Sequence, residues 1–111
     1  MGLVSGVIRL QYLKQREMDL EFKLQELMQT KNELASQGLE LTTVGTELDP
    51  ESPEIKHLEF KKKNLERMEK QLDLEIQKYQ TMLKMSSTEM QSAQGIVDNS
   101  IKRSFSYGNG G

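Results

Sequence analysis

Leucine recurs at every seventh position through the first part of the chain, at Leu13, Leu20, Leu27, Leu34 and Leu41, with Leu10 and Leu24 on the alternate steps between them. That period belongs to a helix whose apolar stripe faces another helix. The matching alternate positions Glu17, Lys31 and Gly38 are not apolar, so the stripe is broken on one side and needs cover from elsewhere. A second ladder, Leu58, Leu65, Leu72 and Tyr79, is joined by Ile55, Met68, Ile76, Leu83 and Met90 at three- and four-residue steps. Two long helices are expected, separated by the stretch GTELDPESPEI, residues 45–55.

That stretch is a breaker with a mechanism. Gly45 is the expected stop of the first helix, because glycine accepts a left-handed conformation without steric cost. Asp49–Pro50 and Ser52–Pro53 each place a capping side chain before a proline, which suits the first position of a helix and pushes the preceding residue out of helical geometry. Ser52 is the expected cap, its hydroxyl accepting from a free amide of the next helix. The reading is therefore helix 3–44, turn 45–52 and helix 53–105: an all-α, antiparallel, coiled-coil-like hairpin over 1–107. The glycine-rich residues 106–111 are expected as a flexible tail. The intrachain seam comprises Leu13, Leu20, Leu27, Leu34, Leu41, Leu58, Leu65, Leu72 and Tyr79, and a reversal between Asp49 and Pro50 would set Leu41 near Leu58, Leu34 near Leu65, Leu27 near Leu72 and Leu20 near Tyr79. Ladders of equal period also mirror about neighbouring centres, so the pattern permits this register without imposing it.

At about 1.5 Å per residue each arm would extend about 60–75 Å, leaving most of the surface in water. Paired along one stripe only, such helices are marginal alone, and further copies or a partner are expected. Two surfaces are candidates for that intersubunit interface. Opposite the leucines of the first helix lie Gln11, Gln15, Met18, Phe22, Gln25, Gln29 and Asn32, none of them charged. In a chain rich in ions this is unusual for a solvated face, and Met18 and Phe22 are large apolar groups. The alternative is an ordinary solvated helix face whose charges fall on its flanks. The second surface is the end of the second helix, where charge thins abruptly. From Glu51 to Lys84, 15 of 34 residues are Asp, Glu, Lys or Arg, against only Glu89, Asp98, Lys102 and Arg103 from Met85 to Tyr107. Here Met90, Ala93, Val97, Ile101 and Phe105 alternate with small residues that allow close helix approach. A frayed helix end, with Gly95 inside it, is the plainer alternative.

Composition narrows the function. Only 35% of the 111 residues are hydrophobic and 29% are charged, which favours long helices over a thick globular core. The net charge of −2, with both signs interspersed, lacks the basic footprint of a nucleic-acid binder, and the run Lys61, Lys62, Lys63 reads as a solvated helix face. No cysteine is present, which removes disulfides and thiolate chemistry and leaves the compartment open. MGLVSGVIRL has no basic region before its short apolar patch, so neither a secretory signal nor a membrane span is expected, and Gly6 stands where a myristoylation motif wants Ser or Thr. His57, the lone histidine, sits among charged neighbours without the convergent partners that a metal or a triad requires. No phosphate loop or nucleophile elbow occurs. No enzyme activity, cofactor or metal is expected.

Pro50, Glu51, Ser52 and Pro53, followed by a helix ending in alternating polar and aliphatic residues through Ile101, resemble the layout of needle subunits of type III secretion systems. The resemblance implies a subunit exported unfolded, without a cleaved signal, that polymerises into a hollow tube with its C-terminal helix central to packing. The opening residues, Met1-Gly2-Leu3, Arg9-Leu10, Leu13, Arg16 and Asp19-Leu20-Glu21, resemble short uncharacterised bacterial coiled-coil proteins, a likeness that brings no activity with it. The expected function is a structural hairpin subunit of a filament or tube, its partners copies of itself, extracellular or at the cell surface. The alternative is a cytoplasmic coiled-coil adaptor or export chaperone that binds another protein.

Overall fold

The computed structural model describes the backbone of residues 2–110 and side chains through Ser106. Among the described residues there are two helices and no strand: α1, Leu3–Glu47, of 45 residues, and α2, Pro53–Gly110, of 58. The fold is an all-α helical hairpin. Both helices outrun their expected ends. The segment 106–110, expected as a tail, continues the α2 backbone, while Gly111 lies outside the described residues. Extending an existing helix adds a hydrogen bond for each residue fixed, and glycine taxes this by only about 1 kcal/mol per residue.

Gly45 does not end α1. Among the described residues no glycine has a positive φ, and Gly45 is an interior helical residue in the last turns. Its role is close packing, because a Cβ at this position would stand 2.8 Å from Leu58 Cδ2. The chain leaves α1 through a tightened turn in which the Leu48 amide donates to the Gly45 carbonyl at 3.4 Å. Asp49 organises the reversal: its Oδ1 accepts from the Glu51 amide at 3.2 Å, and its carbonyl accepts from the Ser52 amide at 3.0 Å. Pro53 opens α2, where a missing N–H costs nothing. Ser52 differs from expectation. Its carbonyl accepts from the Ile55 amide at 3.2 Å, but its buried hydroxyl makes no hydrogen bond, so the side chain does not cap the helix.

The hairpin resolves into two compact units, one of Met1–Phe22 with Tyr79–Gly111 and one of Lys23–Lys78. In the first, Leu10, Leu13 and Ala93 form a buried cluster against which Met90 packs, and Leu20 and Val97 are buried as well. Small residues make this depth possible. Gly6 meets Val97 so closely that a Cβ would stand 3.0 Å from Val97 Cγ2, and Ser86 and Ala93 hold ladder positions where the other half of α2 carries leucine. With little side chain between them, helix backbones approach and shield their neighbours fully. Leu13 is 3% exposed and Ser86 2%.

In the second unit Leu27, Leu72 and Ile76 are buried, but no residue from 28 to 71 is. Leu34, Leu41, Leu48, Ile55, Leu58 and Leu65 are only half-buried. The seam here carries Lys31, Lys62 and Glu69 at its three- and four-residue steps, charged residues that do not close a core. Gly38 leaves a gap, with nothing within 4 Å of where its Cβ would be.

In each unit one side chain of α2 seats on a glycine of α1, a contact that the leucine-on-leucine expectation does not include. Leu58 lies on Gly45 and lines one cleft with Leu41, and Val97 lies on Gly6. In antiparallel helices a knob from one stripe seats against the alternate stripe of its neighbour, so the leucines of α2 face the glycine-bearing steps of α1.

Candidate interaction surface

Each element places its expected residues differently. Of the nine seam leucines and tyrosine, Leu13, Leu20, Leu27 and Leu72 are buried, and Leu34, Leu41, Leu58, Leu65 and Tyr79 are half-buried. The uncharged outer face of α1 is open along its length. Gln11, Gln15, Gln25 and Gln29 are exposed, and Met18 and Phe22 are 62% and 64% exposed. Gln15 is held along the helix by donating from Nε2 to Asp19 Oδ1 at 3.1 Å, which fixes the amide beside the stripe and leaves Met18 free.

The stripe is longer than the residues first singled out. Val4 and Ile8 are also exposed, at 71% and 60%, and stepping back from Gln11 by three and four residues would have reached them. Tyr12 flanks them, equally open. Four large apolar groups and two amides thus occupy one side of α1 within the first unit, opposite the side that buries Leu10, Leu13 and Leu20.

The end of α2 separates into two roles. Ala93 and Val97 are buried and Met90 packs on the Leu10–Leu13–Ala93 cluster, so these three belong to the seam and are not a free intersubunit surface. The drop in charge after Lys84 is not explained by burial, since most of the uncharged residues there, among them Gln91, Gln94, Ile96 and Asn99, are exposed. Ile101 and Phe105 remain open, at 50% and 71%.

The second unit holds a cleft of about 460 Å³ lined on its apolar side by Leu41, Val44, Leu65 and Met68, and on its polar side by Gln37, Glu40, Lys61 and Asn64. It is a consequence of the loose packing described above. Farther along the same seam Lys31 Nζ bonds Asp73 Oδ1 at 2.7 Å. That hydrogen bond and the Asp73 charge, with a smaller contribution from Glu69, raise the Lys31 pKa above 10.5.

His57 is exposed, and among the described residues no group of three or more His, Cys, Asp or Glu side chains could hold a metal ion. Among the described residues no helix is long and apolar enough to cross a membrane. No protein family, characterised protein or solved structure matches the chain.

Proposed function

We propose that the protein is a structural subunit that assembles with further copies of itself into a filament or tube. The observation that carries this reading is the uncharged face of α1, on which Met18 and Phe22 stay more than half exposed while Leu10, Leu13 and Leu20 are buried on the opposite side. Large apolar side chains aligned along one helix face and free of charge are a surface for protein contact. The likeness of the Pro50–Pro53 reversal to secretion needle subunits points the same way, and implies export without a cleaved signal. Negative-stain microscopy and sedimentation velocity across a concentration series test the proposal: elongated assemblies that grow with concentration are expected, and small particles of fixed size at every concentration would rule it out.

The cleft beside Leu41, Val44, Leu65 and Met68 favours a second reading, an adaptor or export chaperone that seats an apolar segment of a different protein. Purification from native cells separates the two. An adaptor brings down a foreign protein in fixed stoichiometry, whereas a filament subunit brings down itself.

A further inference from the structure

The exposed stripe of α1 reads the same in both directions by residue type. In order it is Val4, Ile8, Gln11, Gln15, Met18, Phe22: two apolar groups, two amides, two apolar groups, centred on residue 13. From this we infer, resting on the self-assembly reading, that α1 of one copy packs antiparallel against α1 of a second copy across a two-fold axis at that centre. Such a contact closes on a pair and leaves growth of a filament to a second contact between pairs. A two-fold contact uses the same patch on both subunits, residue i meeting j while j meets i, so the patch has to complement its own reverse. With spacings alternating between four and three residues, the stripe is a second helix-pairing ladder, and in this register Val4 meets Phe22 of the other copy, Ile8 meets Met18, and Gln11 meets Gln15. Apolar groups are buried against apolar groups, and the amides bond each other at the axis, where each has a donor and an acceptor to offer.

Other registers do worse. Sliding by one heptad sets Lys14 beside Glu21 of the other copy but turns every apolar group of the stripe onto a glutamine. Apolar burial outweighs an exposed ion pair, so that register loses. A parallel pair would continue into Gln25, Gln29 and Asn32, layers with no apolar member, and would set Glu21 against Glu26 of the other copy. The antiparallel register has one like-charge neighbour, Lys14 beside Lys14, whose long stems can carry the ammonium groups into water. Tyr12 flanks the axis on its other side, next to its own copy.

The chain has no cysteine, so single introduced thiols report the register directly. Ile8→Cys and Met18→Cys chains are prepared separately and mixed, then treated with a thiol cross-linker shorter than the ~15 Å that separates positions ten residues apart on a helix. Antiparallel pairing predicts a covalent dimer in the mixture and none in either chain alone. Linking of each variant to itself, as a parallel pair would give, overturns the inference, as does the absence of any link in the mixture. Sedimentation of the unmodified chain keeps this failure distinct from that of self-assembly: a chain that associates but does not link in the mixture refutes only the register, and a chain that stays monomeric at every concentration refutes both.

Discussion

Gly45 and Leu58 approach more closely than a side chain at position 45 would permit, a Cβ there standing 2.8 Å from Leu58 Cδ2. Gly38, one heptad earlier, has nothing within 4 Å of the same point. Neither glycine has a positive φ, so alanine is compatible with both backbones. Alanine exceeds glycine in helix propensity by about 1 kcal/mol. Gly38→Ala should therefore raise stability by about 0.5–1 kcal/mol. Gly45→Ala gains the same propensity but must displace a leucine methyl group, and should fall clearly short of it. Urea unfolding followed by far-ultraviolet circular dichroism measures both; equal gains would mean that Leu58 does not seat on Gly45.

Ser86 is the most buried side chain of the seam, and its hydroxyl makes no hydrogen bond. A buried, unpaired hydroxyl costs about 1–3 kcal/mol in lost hydration. Ser86→Ala keeps the small volume that the close helix approach needs, and alanine already serves one heptad on, at Ala93. The variant should be more stable by about 1 kcal/mol, net of any water that reaches the hydroxyl. Ser86→Leu, which restores the ladder residue of the other unit, should instead destabilise by overpacking. Thermal melts of the two variants should move in opposite directions.

Burial grades the seam, and charge insertion should grade with it. Leu27 is 7% exposed, so Leu27→Asp both removes the apolar group and places an uncompensated charge in the packed part of the second unit. The loss should exceed the about 2–5 kcal/mol of a buried Leu→Ala change and unfold a chain of ordinary stability. Leu34→Asp falls where the seam is half-open, and should be survivable. Comparable losses at the two positions would contradict the difference in packing.

The Lys31–Asp73 ion pair gives stability an alkaline signature. Because the folded-state pKa of Lys31 lies above its ordinary 10.5, the pair's contribution is fully present below 10.5 and is lost as pH rises through the raised value. Both side chains are about half exposed, so the contribution is modest. Lys31→Met should flatten this part of the profile, and at neutral pH it should cost little, since an apolar chain of similar length suits a seam position. Urea midpoints of both proteins between pH 9 and pH 12 report the difference; parallel profiles would show that the pair does not couple to folding.

Much of this architecture is legible in the ladders. The seven-residue leucine period and the paired prolines indicate two helices and the reversal, because amphipathic period and proline geometry act locally. Register is another matter. Two ladders of equal period mirror about several centres, and the choice between them was made by Gly45 and Gly6, whose missing side chains admit Leu58 and Val97. Glycine reads locally as a helix stop, and only tertiary packing shows it as a seat. The same ambiguity misplaces Ala93 and Val97: small residues signal close approach, but not to which helix. The outer face of α1 is readable because it needs no tertiary information beyond the side opposite the leucines.

That face yields the last prediction. Phe22 is 64% exposed and contributes nothing to the intrachain seam, so Phe22→Glu should leave helix content and unfolding midpoint of the isolated chain nearly unchanged, within about 0.5 kcal/mol. In the self-assembly reading it has a large effect elsewhere, because a carboxylate buried in an apolar contact without a partner must be desolvated or protonated. Phe22→Leu keeps the apolar character and should retain most of the association, which separates loss of contact area from introduction of charge. Sedimentation equilibrium of the three proteins at matched concentrations makes the comparison. Association weakened by Glu but not by Leu, with circular dichroism unchanged, places the contact on this face; association indifferent to Phe22→Glu would move it to another part of the surface.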